Sequence, residues 1–385
     1  MNFSFSKEQI DFKKSLDDLL GSNETRQLLS EIKKNSSDTD PRKLYKLLGE
    51  NGYLAPNFPS EYGGLDKTIV EAALVIESMS DNGIPESLHV LSTFLVGNLL
   101  LEVATEKQKK KYLTEMARGE KTAIILYSEP KYGSDLGSLE STAILNEEGE
   151  YVLNGRKVYS VKSNIADYGL FAARTSNNIS KYDGISLFMV PIQNNKNIHI
   201  NEIPTLSDES LYEVCLENVK VSKEDIIGEV DEGWIIINKA LSYERTGLDY
   251  YVRAKRWFLN IWSNEMVNEG FMSETKLIEL ARLKCKLEAS KNLTYQVIEQ
   301  VSNTGSIDEL LASISKLYSS QLASDIVAKG HDLAGIKASI HKNHDYSPLY
   351  GSLDSAYRES PGLTISAGTT EMMLENISKF KLNIK

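Results

Sequence analysis

Cysteine is almost missing from this chain: Cys215 and Cys285 are the only two in 385 residues. Two such thiols build neither a disulfide framework nor a thiolate metal site. Histidine is scarce too, with five in all. His341 and His344 lie close together, but no carboxylates accompany them at zinc-ligand spacing, so they read as surface residues and no metal is expected. No apolar run approaches the length of a bilayer-spanning helix, and the N-terminus lacks a basic stretch followed by an apolar core. A cytoplasmic protein without a membrane partner is therefore expected. Positive charge is in deficit, with 43 Lys and Arg against 54 Asp and Glu and a net charge of −11. That balance disfavours nucleic acid as a partner, and a phosphate on any ligand would need local Lys or Arg. Internal repeats and low-complexity segments are absent as well.

What is present is the composition of a globular protein, 41% hydrophobic and 25% charged, long enough for two or three packed domains. Apolar residues recur at helical spacing over 6–20, 44–52, 68–79, 87–103 and 106–118. Ser6 and Glu8 sit like an N-cap and a first-turn acid. Pro56, Pro59, Gly63 and Gly64 mark an ordered loop at 53–64. From 121 the pattern changes to short β-branched and aromatic runs at 141–144, 151–158, 168–174, 185–191, 198–203 and 211–219. Turn clusters separate them, which predicts a domain of antiparallel strands, a sandwich or barrel. Helical spacing returns over 234–258, 273–303, 307–334 and 369–380. The fold class expected is α+β, with a helical domain at 1–120, an antiparallel β-domain at 121–230 and a helical domain at 231–385.

One loop stands out. Ala123 to Leu126 reads as a strand, and it leads into Tyr127-Ser128-Glu129-Pro130-Lys131-Tyr132-Gly133-Ser134-Asp135-Leu136-Gly137. Gly133 is able to take a positive φ and bring its backbone close to a ligand, and Ser128 and Ser134 are adjustable donors. The segment suits a polar cofactor, although the same residues would also make an ordinary turn.

The order of elements, with a set of spaced residues, resembles the acyl-CoA dehydrogenase family of flavoproteins over essentially the whole chain. The residues that carry the likeness are Pro59 to Gly64, Ser128-Glu129-Pro130 with Gly133-Ser134-Asp135, and Gly155-Arg156-Lys157-Val158-Tyr159. Further along are Glu213 to Val221, Ile227-Gly228-Glu229, Gly233, Glu244-Arg245 and Ala367-Gly368-Thr369-Thr370-Glu371. The resemblance implies FAD as cofactor and a C-terminal four-helix bundle. It implies that Tyr127, Ser128, Gly133 and Ser134 meet the flavin, with Ser134 also near the substrate's carrier arm. Tyr159 would pack on the flavin, although a strand aromatic is an equally ordinary reading. Where the family has a Thr toward the flavin's reactive nitrogen, this chain has Val161, for which Ser160 or a backbone N–H would have to substitute. Gly368, Thr369 and Glu371 match the segment on the ribityl and adenosine portions, and Thr369 also reads as a helix N-cap.

The family chemistry is removal of an α-proton from an acyl thioester by a carboxylate, with hydride passing to the flavin. It needs a positioned base and donors for the enolate oxygen. Most relatives place a glutamate immediately before the Gly-Thr of the last motif, where this chain has Ala367. A minority, including isovaleryl-type members, carry the base before an arginine on the long helix, which matches Glu244-Arg245. The resemblance thus implies Glu244 as base, the Ala367 backbone N–H as oxyanion donor, and Ser134, Tyr243 and Arg245 at the substrate. Three features depart from the family. No Arg-x-x-Phe-Gly is found near 263–267; the Gln-x-x-Gly-Gly position reads His331-Asp332-Leu333-Ala334-Gly335; and Pro204-Thr205-Leu206-Ser207-Asp208 replaces Met-Gly-x-Arg. Either other residues hold the FAD diphosphate or it is held less tightly. Such departures resemble a secondary-metabolism branch that oxidises prolyl groups on carrier proteins, which implies a phosphopantetheine thioester as partner, with the electron acceptor open. The alternatives are a short or branched acyl-CoA as substrate, a flavin-dependent monooxygenase of the same fold, and a scaffold that has lost flavin. A homotetramer or homodimer is implied.

Overall fold

The computed structural model describes residues 4–34, 40–176, 180–268, 273–341, 344 and 351–382, with side chains described at all of these except 33, 34, 264–268 and 382. The chain forms two compact units, one of Lys7–Thr205 with Glu209–Tyr243, the other of Met1–Ser6, Leu206–Asp208 and Glu244–Lys385.

The larger unit begins with helices α1 (Lys7–Leu20), α2 (Asn23–Lys34), α3 (Arg42–Glu50) and α4 (Ile69–Asp81). Helix α2 is a correction, because its run of charged and polar residues hides only a short apolar face around Ile32. Helix α4 is apolar nearly all round, is buried along its length, and starts in a capping box between Thr68 and Glu71. The expected helix at 87–103 is α5 (Ser87–His89), a π-helical stretch Val90–Gly97 and α6 (Asn98–Val103); α7 (Glu106–Ala117) follows, capped by Thr105.

Eight strands then form one hydrogen-bonded sheet: β1 (Ala123–Leu126), β2 (Thr142–Leu145), β3 (Tyr151–Val161), β4 (Tyr168–Arg174), β5 (Ile185–Pro191), β6 (Ile198–Ile203), β7 (Leu211–Val221) and β8 (Ile226–Ile227). Their order is β6-β7-β3-β2-β4-β5-β8, with β1 beside β4. The expectation of antiparallel strands holds for most pairs but fails at β4, which runs parallel to β1 in register Ala123↔Tyr168 and meets β2 in a parallel bridge. The physical reason lies in burial: β1 and β4 are apolar on nearly every residue, the pattern of strands covered on both faces. Between β3 and β7 the register shifts twice, at Leu153/Gly155 and at Lys157/Ser160. The second irregularity is a bulge, which re-aims side chains out of the ladder.

Helix α8 (Gly233–Glu244) closes the larger unit, except that its last residue belongs to the smaller one. The smaller unit holds α9 (Leu248–Asn268), α10 (Glu274–Thr304), α11 (Glu309–Ala334), α12 (Ser352–Leu363) and α13 (Thr370–Leu382). The single helix expected over 234–258 is therefore two. Gly247 sits at φ +88°, a conformation no helix contains, and Thr246 accepts a hydrogen bond from the Leu248 N–H to start α9. Helix α12 falls outside the helices expected from the sequence, and Pro361 lies inside it. Helix α11 is the central element, packed on α9, α10, α12 and α13. Its buried stripe is mostly small, with Ala312, Ser313, Ser315, Ser319, Ser320 and Ala323, and Ser319 Oγ lies 2.7 Å from Ser290 Oγ of α10.

Candidate functional site

Two groups of side chains carry chemistry, one in each unit. In the larger unit the loop after β1 is tied to β3. Val158 N–H donates to Ser128 O at 2.9 Å, and the buried Lys157 Nζ donates to Tyr127 O at 3.1 Å and Glu129 Oε1 at 2.8 Å. Glu129 also accepts from the backbone of Glu140 (2.6 Å) and Ser141 (2.9 Å) and from Ser141 Oγ (2.6 Å). Burial pushes the Glu129 carboxyl up, but the Lys157 ammonium and these donors outweigh it and hold it below the usual carboxylate range. Burial lowers Lys157 to about 8, with Glu129 opposing, so the pair is ionised at neutral pH. At the far end of the loop Arg174 donates to the carbonyls of Gly137 (2.8 Å), Leu139 (3.3 Å), Lys181 (3.1 Å) and Asp183 (3.0 Å).

The loop is thus fixed at both ends and presents its middle to solvent. Tyr127 is buried, Ser128 is half-buried, and Gly133 and Ser134 are exposed. Gly133 does not adopt the positive φ its sequence allowed; the loop turns without it, and open space lies over its Cα. The left-handed residue nearby is Tyr159, at φ +62° on the β3 bulge with 60% of its surface exposed. An aromatic residue in that region costs about 1–3 kcal/mol and persists where its surroundings over-determine it. Ser160 Oγ donates to Tyr212 O at 3.1 Å and lies 2.6 Å from Ser163 Oγ, and Val161 is half-buried beside it. A bulged strand offering an exposed ring, next to an anchored loop offering small polar residues, fits one edge of a planar, hydrogen-bonding cofactor such as a flavin.

The second group gathers in the smaller unit. Glu244 ends α8 and is half-buried. Burial pushes its carboxyl up to about 7; Asp249 adds to the push, while Arg245 and Lys316 pull against it. The C-terminal end of a helix is itself a poor place for a negative charge. Arg245 has one guanidinium nitrogen 3.6 Å from Glu309, and its Nε is buried with no hydrogen-bond partner among the described residues. The turn 366–368 lies close by: a Cβ built on Gly368 would sit 3.8 Å from that Nε. Ala367 has φ +55° and Gly368 has φ +98°. Thr369 Oγ1 accepts from Met372 N–H at 3.3 Å and caps α13, and Glu371 is exposed, its carboxyl lowered by its own backbone N–H and by Thr369.

Other predicted positions fall elsewhere. Tyr243, in the larger unit, is buried with its hydroxyl donating to Glu102. Segment Leu206–Asp208 is held by Arg358, whose guanidinium donates to Asp208 Oδ1 at 2.9 Å and to Asp354 Oδ2 at 3.0 Å. His331 Nε2 is 3.3 Å from Leu353 O. The expected place of the absent Arg-x-x-Phe-Gly, 263–267, lies almost wholly outside the described side chains. Sequence reasoning missed Tyr250 and Lys316. Tyr250 hydroxyl donates to Ser366 O at 3.1 Å, and Lys316 Nζ donates to Gly368 O at 2.6 Å. The signal for Lys316 was available: it is the one charged residue in the Ser and Ala stripe of α11.

Comparison with known proteins agrees along the chain. The family models for the N-terminal, middle and C-terminal domains of acyl-CoA dehydrogenase match residues 6–120, 125–219 and 231–382. A 3-(aryl)acrylate reductase of Clostridium sporogenes is 30% identical over 358 residues, covering 86% of this chain and 88% of that protein. A short-chain-specific acyl-CoA dehydrogenase of Clostridium acetobutylicum is 26% identical over 396 residues, 97% of each. Among solved structures, the prolyl acyl carrier protein oxidase AnaB has the same fold, with a TM-score of 0.82 at 24% identity over 99% of this chain and 100% of that one. The chain belongs to the acyl-CoA dehydrogenase family, FAD-binding oxidoreductases that act on acyl thioesters.

Proposed function

We propose that Glu244 is the base of an acyl thioester dehydrogenation and that the Ala367 backbone N–H is a donor to the thioester oxygen. One observation carries the reading. Glu244 is the carboxyl that burial brings to about 7, and its neighbours Tyr250 and Lys316 are the groups that hydrogen-bond the turn around Ala367. A base poised near the working pH combines the correct protonation state with enough driving force to take the proton. A single oxyanion donor contributes about 3 kcal/mol to the transition state. Ala367 itself cannot act as a base, and its small side chain leaves space for one arriving from the other side.

The chemistry FAD supplies when bound is acceptance of the hydride. Ser128, Gly133, Ser134 and Tyr159 would hold its ring edge together with the backbone of Tyr127, Ser160 and Val161. Gly368, Thr369 and Glu371 would hold the rest. Arg245, with a donor to offer, and Tyr243 would line the substrate. The acyl group we propose is a prolyl residue on the phosphopantetheine arm of a carrier protein, a compact group branched at the α-carbon that suits a base placed at the end of α8. An arylpropionyl thioester is the second reading, favoured by the 30% identity to the 3-(aryl)acrylate reductase. The assembly we propose is a homotetramer or homodimer.

The test is anaerobic flavin reduction, with no added reductant, by a panel of prolyl-loaded carrier protein, arylpropionyl-CoA and short and branched acyl-CoAs. Glu244→Gln should lower the rate by roughly 10²- to 10⁴-fold while FAD stays bound. A near-normal rate in that variant would overturn the base, and product formed only when reduced flavin and dioxygen are added, with no anaerobic bleaching by any thioester, would turn the reading to a monooxygenase.

A further inference from the structure

The turn that carries Ala367 is gripped on both sides by side chains to which the proposed proton transfer gives no part. Before it, Tyr250 hydroxyl donates to Ser366 O at 3.1 Å and lies 3.1 Å from Ser366 Oγ. After it, Lys316 Nζ donates to Gly368 O at 2.6 Å. Between these two anchors Ala367 is left-handed, at φ +55°. A residue with a Cβ pays for that conformation and relaxes out of it unless its neighbours hold it there.

Lys316 calls for an explanation of its own. It is fully buried on α11 among serines and alanines. An ammonium removed from water costs far more than a small polar group would at the same place. It lies 5.2 Å from the ring centre of Tyr250, so the two anchors also contact each other through a cation–π interaction. The bland account is that Lys316 only offsets the charge of Glu244. That account leaves unexplained both the direct bond to Gly368 O and the matching bond from Tyr250 to the other side of the same turn.

We infer that Lys316 and Tyr250 are positioning residues that clamp the 366–368 turn so that the Ala367 N–H points at the oxygen of the bound thioester. The inference rests on the reading of Ala367 as oxyanion donor. Its physical basis is directional: a backbone donor stabilises developing charge only when aimed at the place the oxyanion will occupy. A turn freed at either side drifts toward ordinary φ values and swings the N–H away, while the thioester's other contacts persist.

The experiment uses the FAD-loaded protein and the thioester that reduces the wild-type flavin fastest. Limiting rate and half-saturating concentration are measured for Tyr250→Phe, Lys316→Met and the double variant at a pH well above 7. The expected result is a fall in limiting rate of about 10- to 100-fold in each single variant, with half-saturation changed less than about threefold and FAD retained. The double variant should be close to the worse single one, because a turn released on one side is already free. Tyr250→Phe is decisive, since it removes a clamp bond without changing any charge. If it keeps the wild-type rate while Lys316→Met is slow, Lys316 acts through Glu244 alone and the clamp is overturned. Losses confined to half-saturation would overturn it as well. A wild type that no thioester reduces would sink the dehydrogenase reading and the clamp with it. A fast Glu244→Gln beside slow clamp variants would sink only the base.

Discussion

At the scale of single residues, the decisive quantity is the ionisation of Glu244. Burial lifts its carboxyl to about 7, and Arg245 and Lys316 moderate the lift. The sign for catalysis follows directly. As the proposed base, Glu244 works only as carboxylate, so the limiting rate of anaerobic flavin reduction should rise with pH through about 7 and level off above it. Below the midpoint the slope should approach about tenfold per pH unit. A flat profile between roughly pH 5 and 8 would mean that the proton goes elsewhere. Glu244 stood out in the chain order, because Ala367 stands where most relatives carry the glutamate and Glu244-Arg245 offers the alternative; its role as base is the proposal that this pH profile tests. Its pKa was not legible, since it depends on which groups the fold packs against it. The same holds for Glu129 and Lys157, whose side chains meet at 2.8 Å from positions 28 residues apart.

At the scale of elements, the break between α8 and α9 leaves Glu244, the proposed base, as the last residue of α8. Periodicity alone continues across it, because apolar residues recur at helical spacing from Trp234 to Phe258. Gly247 interrupts it, and the interruption is locked by Ser315 on α11, whose hydroxyl donates to Thr246 O at 2.8 Å. A Cβ at Gly247 would lie 2.4 Å from Ser315 Oγ on top of the strain of φ +88°. Gly247→Ala should therefore destabilise the protein by about 1–3 kcal/mol, read as a lower midpoint in urea denaturation. An unchanged midpoint would show that the break is soft. The bulge in β3 is the other element that sequence could not place. The Gly155 to Tyr159 motif was visible, but its register against β7 follows from a partner strand more than 50 residues away.

For the whole molecule, the smaller unit leaves large apolar side chains in the open, with Ile336 88%, Ile365 65% and Phe380 55% exposed. Single exposed apolar residues are ordinary on a protein surface, so the proposed homotetramer or homodimer is tested directly. Light scattering on the FAD-loaded protein should give two or four copies, and a monomer at micromolar concentration would overturn the proposal. The net charge of −11 is a property of composition and constrains partners before any fold is known. The order of helices, sheet and helices was equally open to reading, because periods of 3.6 and 2 are written locally. So were the family motifs, each held within a few neighbouring residues. What only the tertiary structure decided are relations between distant positions: β1 parallel to β4, Tyr159 turned outward on a bulge, and Lys316 bonded to Gly368 across 52 residues. Local pattern records which face of an element is apolar. It carries no record of what packs on that face, and burial and hydrogen-bond partners at this site are set by that packing.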